Sequence, residues 1–226
     1  MRFEFIADEH VKVKTFLKKH DVSKGLLAKI KFRGGGILVN DEPQNAIYLL
    51  GIGDKVTIDI PKEEGFESLE AISKKLEVVF EDDHFLILDK PAGVASIPSV
   101  NHSNTMANYV KAYYIDSGYE NHQVHIVTRL DKDTSGLMLF AKHGYAHARL
   151  DKQLQKRAIE KRYLALVKGD GLLEKEGEII APIARDEDSI ITRRVAKGGK
   201  YAHTSYKVIE QFGNIYLVDI HLHTGR

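Results

Sequence analysis

The sequence predicts an α+β fold in two parts, and three observations predict it. Short helical patterns alternate with short strands over residues 1–62, which read as a small α/β unit. A stretch rich in Glu and Lys, without periodicity, follows as a linker over 63–75. From residue 76 to 226 hairpin-like strands dominate, with a few helices among them, the pattern of an α+β domain on a mixed, mainly antiparallel sheet. A chain of 226 residues has room for one sizeable domain and a small companion.

Taken in order, Val13, Phe16 and Leu17 stand at i, i+3, i+4 and give a short helix one apolar stripe. His20-Asp21-Val22-Ser23 breaks it, and Ser23 is placed to cap a second helix over 24–32. Gly34-Gly35-Gly36 ends that helix, because glycine enters left-handed conformations without steric cost. Strands follow at 37–39 and 56–60, each reached through a turn, Asn40-Asp41 and Gly53-Asp54. Strands are expected at 76–80, 85–89, 124–128, 137–141, 162–167, 203–210 and 215–223, with helices over 105–114 and 145–157. Internal repeats and low-complexity tracts are absent.

Composition removes several classes of chemistry. With no Cys, disulfides, thiolate zinc sites, iron–sulfur clusters and a cysteine nucleophile are excluded. No apolar run approaches the ~20 residues that span a bilayer, and no signal peptide opens the chain, so a cytoplasmic protein without a membrane partner is expected. The net charge of +1 hides a segregation. Residues 12–33 carry eight cations against Asp21 alone, and residues 142–168 carry eight against Asp151 and Glu160. Arg193, Arg194, Lys197, Lys200 and Lys207 form a third basic stretch. The balancing acids cluster at 81–83, 174–178 and 186–188. Basic patches on a near-neutral molecule suit phosphate contacts, although solvated helix faces explain any single patch equally well.

The segment with chemical content is Arg129-Leu130-Asp131-Lys132-Asp133-Thr134-Ser135-Gly136, a polar loop before an apolar strand. Asp131, Asp133, Ser135 and Gly136 match the first half of an EF-hand calcium loop. The position that needs a bidentate Glu is Lys142, however, and no exiting helix follows, so calcium is rejected. Gly34-Gly35-Gly36 lacks the Gly-Lys-Ser/Thr of a phosphate-binding loop. His221 and His223 alternate onto one strand face, but no third ligand is evident, so no metal site is expected; His122 and His125 are judged the same way.

Arg129–Leu137 resembles the His-Arg-Leu-Asp-x-x-Thr-Ser-Gly-Leu signature of pseudouridine synthases of the RluA type, with Thr128 where the family usually has His. Three further stretches, in the family's order, extend the resemblance. Val79–Gly93 is similar to the first motif, with Asp89 for Asn; Lys161–Gly169 is similar to the motif bearing the active-site Tyr; Leu222–Arg226 is similar to the start of the final motif. Residues 12–60 resemble an S4 RNA-binding domain. The chain stops at Arg226 partway through that final motif, so the resemblance also implies a catalytic domain incomplete at its C-terminus.

The resemblance implies isomerisation of uridine in RNA to its C-glycoside, with no cofactor. Asp131 would be the catalytic carboxylate, as nucleophile, as anion stabilising charge at C1′, or as base at C2′. Asp133 would be a loop acceptor. Tyr163 would lie against the uracil, and Arg226 would pair with Asp131 and keep it ionised. Arg129 would fill the gap left by a flipped uridine or simply contact phosphate. Lys18, Lys19, Lys29 and Arg33, with Arg149, Lys152 and Lys156, would hold the RNA backbone. Large-subunit ribosomal RNA is the favoured target, transfer RNA the alternative, and a monomer the expected state. A non-catalytic RNA-binding protein and a glycoside hydrolase using Asp131 with Asp133 are the competing classes. The second needs carboxylates about 5–9.5 Å apart across a bond, which is hard for neighbours on one loop.

Overall fold

A computed structural model describes residues 1–63, 65, 67–169, 173–186 and 192–225. The chain forms two compact units, Met1–Lys152 and Gln153–Arg226. The cut between them falls near the end of a helix and not in the 63–75 stretch.

The first unit opens with β1 (Arg2–Ile6), followed by α1 (Val13–Lys19) and α2 (Lys24–Phe32), then β2 (Gly36–Val39), β3 (Glu42–Pro43) and β4 (Lys55–Asp59). Val13, Phe16 and Leu17 are fully buried on α1, as their spacing predicts. Each such side chain contributes roughly 1.5–3 kcal/mol by leaving water. The Ser23 hydroxyl accepts from the Leu26 amide at 3.1 Å and caps α2, which buries Leu26 and Ile30. The glycine triplet divides its work. Gly34 takes φ +83°, whereas Gly35 is required by close packing: a Cβ there would sit 2.4 Å from the Asp59 carbonyl oxygen and 2.7 Å from Ile30 Cα.

These strands form a sheet in the order β1-β4-β2-β3. Asn40 and Asp41, both at positive φ, make the two-residue reversal between β2 and β3. Neither β1 nor β3 is among the expected strands, yet β1 pairs along the whole of β4 and lays Phe3 and Phe5 against the N-terminal core.

A second sheet, β5-β6-β8-β7, follows from β5 (Glu77–Glu81), β6 (Phe85–Lys90), β7 (His125–Ile126) and β8 (Gly136–Ala141). Helix α3 (Met106–Asp116) packs Met106, Tyr109, Val110 and Tyr114 into one core with Leu86, Leu88, Met138 and Phe140. Asn108 Oδ1 accepts from both the amide and the hydroxyl of Thr105, so α3 starts where the sequence places it. β7 is shorter than the expected 124–128. The Val127 and Thr128 amides both turn to the Leu139 carbonyl, and the Thr128 hydroxyl accepts from the Leu139 amide at 2.9 Å, so a side chain replaces one rung of the ladder.

Helix α4 (Gly144–Gln155) inserts Tyr145 into the N-terminal core. The ring meets Phe3 edge-on at 4.8 Å, and its hydroxyl donates to the His20 carbonyl at 2.8 Å. The described residues of the 63–75 stretch form no helix or strand, yet several of them are packed and not free. Glu63 is buried, Ile72 borders the second core, and the carbonyls of Leu69 and Glu70 accept from Lys111 and Asn108.

In the second unit β9 (Arg162–Lys168), β10 (Glu176–Ile180), β13 (His203–Phe212) and β14 (Ile215–Leu222) form a sheet in the order β10-β13-β14-β9. β11 (Ile183–Arg185) and β12 (Arg193–Val195) form a separate hairpin. β10, β11 and β12 have no counterpart in the sequence reading, because three to five residues of mixed polarity show no clear period. The expected mixed sheet is corrected too. Every ladder among the described strands is antiparallel, and the one parallel pairing among the described residues is an isolated bridge, Ala95 to Thr105.

Candidate active site

The Asp131 loop is held from below by the loop that follows β6. Lys90 is fully buried at the end of that strand, and its ammonium donates to three carbonyls: Val94 at 2.8 Å, Pro91 at 2.9 Å and Lys132 at 3.0 Å. The Gly93 amide donates to the same Lys132 carbonyl at 2.9 Å. The buried Ser96 hydroxyl donates to the Leu130 carbonyl and accepts from the Leu130 amide. Leu130 itself packs against the second core. With 130 and 132 fixed on either side, the backbone at Asp131 has little freedom, and its carbonyl accepts from Thr134 to close the turn. Gly136, at φ +121°, then leads into β8.

The consequence is an exposed carboxylate on a rigid backbone. Asp131 and Arg129 are both exposed, and neither side chain forms an ion pair or hydrogen bond with the described residues. Burial lowers the Lys90 pKa, while the charges of Asp133 and Asp131 pull it back up, so the loop carries its countercharge in its own foundation. Beside the far end of the loop lies a cleft of about 540 Å³ bordered by Lys74, Lys75, Asp89, Lys90, Ser135 and Gly136. That is within the range of about 300–1,000 Å³ typical of ligand clefts. Asp131 is not on its lining.

Lys90 and Ser96 are positioning residues that the sequence reading assigned no role. One signal was present: after the apolar run Phe85–Leu88, β6 closes on Asp89 and Lys90 directly before Pro91. Lys90→Met should take the ammonium from the Pro91 and Val94 carbonyls, leave the Lys132 carbonyl with the Gly93 amide alone, and cost about 3 kcal/mol of stability. Urea denaturation should show that loss, with turnover falling further than RNA affinity. Wild-type stability in the variant would remove the clamp from the account.

The other nominated residues fall into separate groups. Tyr163 is half-buried on β9 of the second unit, opposite Ile220, and Lys156 is exposed in the same unit. Arg226 lies outside the described residues, as do Glu187 and Asp188 of the expected acidic turn. Lys18 and Arg33 are exposed and form no ion pair among the described residues. Four other cations hold acids. Lys19 pairs with Glu9, Arg149 and Lys152 both pair with Asp21, and Lys29 pairs with Glu63 at 2.9 Å. Lys29 therefore has a structural task, and Arg149 with Lys152 fastens α4 to the turn between α1 and α2. His221 and His223 do share a face, their ring centroids 4.3 Å apart, and His223 stacks on His203 at 4.1 Å. Among the described residues no three His, Asp or Glu side chains converge as metal ligands.

An exposed carboxylate on a braced loop, beside lysines and on a near-neutral molecule with basic stretches, suits an enzyme that acts on a polyanion. The family model for RNA pseudouridylate synthases matches residues 84–226. The chain is 39% identical over 215 residues to the uncharacterized RNA pseudouridine synthase YjbO of Bacillus subtilis, covering 95% of this chain and 75% of that protein. It is 38% identical to the ribosomal large subunit pseudouridine synthase D of Nitrosomonas europaea, over 77% of this chain and 50% of that protein. Among solved structures, human RNA pseudouridylate synthase domain containing 4 shares the fold at a TM-score of 0.54 and 19% identity, covering 66% of this chain and 60% of that one. The chain thus belongs to the RNA pseudouridylate synthase family, isomerases acting on RNA. It spans between half and three quarters of the length of these relatives.

Proposed function

We propose that the protein converts specific uridines of large-subunit ribosomal RNA to pseudouridine, with Asp131 as the catalytic carboxylate. The observation that carries this reading is the Asp131 loop. An exposed carboxylate, without a partner among the described residues, stands on a backbone clamped by Lys90 and Ser96, so the charge is pre-oriented before substrate arrives. The reaction gains and loses no atoms overall. The N1–C1′ bond breaks, C5 bonds to C1′, the C5 hydrogen leaves as a proton, and N1 takes up a proton from solvent. Asp131 serves by attacking C1′, by stabilising charge at C1′ as an anion, or by taking the C2′ proton, and each route needs it ionised. The resemblance gives Tyr163 the proton transfer at C5 and Arg226 the task of keeping Asp131 ionised.

The ribosomal target is supported by relatives that carry that name, in Nitrosomonas europaea and Pseudomonas aeruginosa, each 38% identical over the matched residues. The N-terminal sheet with α1 and α2 acts as the S4-like RNA-binding module, and the protein works as a cytoplasmic monomer. No described helix is long and apolar enough to cross a membrane. Pseudouridine mapping in cells with and without the gene tests the target. Loss of a site in large-subunit ribosomal RNA is expected. Loss confined to transfer RNA would overturn the ribosomal assignment, and no loss in either would overturn the proposed function.

A further inference from the structure

Helix α2 carries an aromatic side chain that its packing does not explain. The helix buries Leu26 and Ile30, whereas Phe32, on the opposite side, is 75% exposed. At 100° per residue, Lys24, Ala28 and Phe32 run along the centre of the exposed face, with Lys31 on one flank and Gly25 on the other. Gly25 and Ala28 keep that face low, so the ring stands clear of bulky neighbours. The Lys31 ammonium lies 4.7 Å from the ring centroid, within cation–π distance.

The two helices carry charge of almost one sign, with eight cations over residues 12–33 against Asp21 alone. Lys12, Lys14, Lys18, Lys24, Lys31 and Arg33 form no ion pair with the described residues. The acids close by are already occupied: Asp59 by Arg2, Glu63 by Lys29, and Asp21 by Arg149 and Lys152. The Gly34 turn after the ring is open, while Gly35 packs tightly on Ile30 and Asp59, so the helix end that presents Phe32 is anchored.

We propose that Phe32 is a stacking platform for an unpaired base of the RNA substrate, with Lys24, Lys31 and Arg33 on the adjoining phosphates. A single ring amid lysines offers a protein partner far less than the ~800 Å² per side of a stable interface, and seating an apolar surface there would strip water from several ammonium groups. A nucleotide offers a π face and a phosphate together, matching both parts of the patch. A base inside a duplex has its faces covered, so the platform selects single-stranded or looped RNA. The proposal rests on the RNA-directed function above and adds to it a residue and a strand state.

The chain has no Trp, so Phe32→Trp introduces a lone fluorescent reporter on an exposed position. Short oligouridylate should quench it, whereas inorganic polyphosphate should bind the cations and leave its emission unchanged. Phe32→Ala should weaken oligouridylate binding by on the order of tenfold. Phe32→Tyr should retain it, with duplex RNA binding unaltered in both. Oligouridylate binding without quenching, equal quenching by polyphosphate, or unchanged affinity in Phe32→Ala would each overturn the platform while leaving the isomerase reading intact. A change in self-association in place of RNA affinity would assign the face to a second copy and overturn it too. Tritium release from uridine-labelled RNA, measured in parallel, reports on the isomerase reading separately.

Discussion

Replacing Asp131 by Asn should abolish isomerisation while leaving the protein folded and bound to RNA. Removal of the ionised carboxylate eliminates every route open to it, so a loss on the order of 10⁴-fold is expected. Stability should change by less than about 0.5 kcal/mol, because the side chain is exposed and has no partner among the described residues. RNA affinity should stay within about twofold, since phosphate contacts supply most of it. Asp133→Asn, on the same exposed loop, serves as the control and should retain most activity. Single-turnover tritium release, urea denaturation and RNA titration together check the pattern. If Asp131→Asn lost binding as well as turnover, the residue would be structural, and if Asp133→Asn were the inactive variant, the assignment would be reversed.

The second large effect concerns Glu63, which sequence reading placed at the start of a linker. Its carboxylate is almost wholly buried and accepts from Lys29 on α2, from His125 on β7 and from the Gly144 amide that opens α4, each at 2.9 Å. Its own amide donates to Asn121, and its carbonyl accepts from His122. Burial alone would raise its pKa. The hydrogen bonds from His125 and Lys29, with the charge of His125 and the Gly144 amide, bring it down to about 2. One carboxylate therefore ties the N-terminal helices to the sheet that carries the Asp131 loop, all within the first unit.

The linkage follows from the sign of that shift. A carboxylate with a depressed folded pKa contributes stability above its unfolded value near 4.5, and this is lost as pH falls towards 2. The contribution is about 3 kcal/mol. His143 acts in an adjoining window. Burial, then the neighbouring His84, lowers its pKa to about 4, so the unfolded chain takes up a proton below about 6.5 that the folded protein refuses. Stability should thus fall from pH 6.5 downwards, first through His143 and then through Glu63. Glu63→Gln should cost about 3 kcal/mol at pH 7, since it leaves Lys29 without a countercharge and takes an acceptor oxygen from the buried cluster of His125 and the Gly144 amide. Its stability should then fall less than the wild type's between pH 4.5 and 2. Urea titrations at a series of pH values check this; parallel curves for the two proteins would show that Glu63 is not the group responsible.

The contrast between Glu63 and Phe16 shows what a sequence can disclose. Phe16 is legible because its neighbours in space, Val13 and Leu17, are also its neighbours in sequence, and the helical period displays them together. Ser23 is legible as a cap for the same local reason. Glu63 meets partners 34, 62 and 81 positions away, and no local pattern records such a meeting. Lys90 is intermediate. Its place in a motif was visible, but the carbonyl of Lys132 that it grips lies 42 residues on. β1 was legible in principle, since Phe3 and Phe5 alternate with Arg2 and Glu4, and it was missed by starting the first unit's elements at residue 12. For the candidate site, Asp131 was nominated by a contiguous motif, whereas the clamp that orients it comes from a different loop.

The account turns on one reaction, and tritium release from ribosomal RNA labelled at uridine C5 measures it most directly. The full-length protein as encoded by the gene should release tritium from large-subunit RNA without added cofactor, and the released label should match the pseudouridine formed. RNA bound with normal affinity but yielding no tritium would contradict the account.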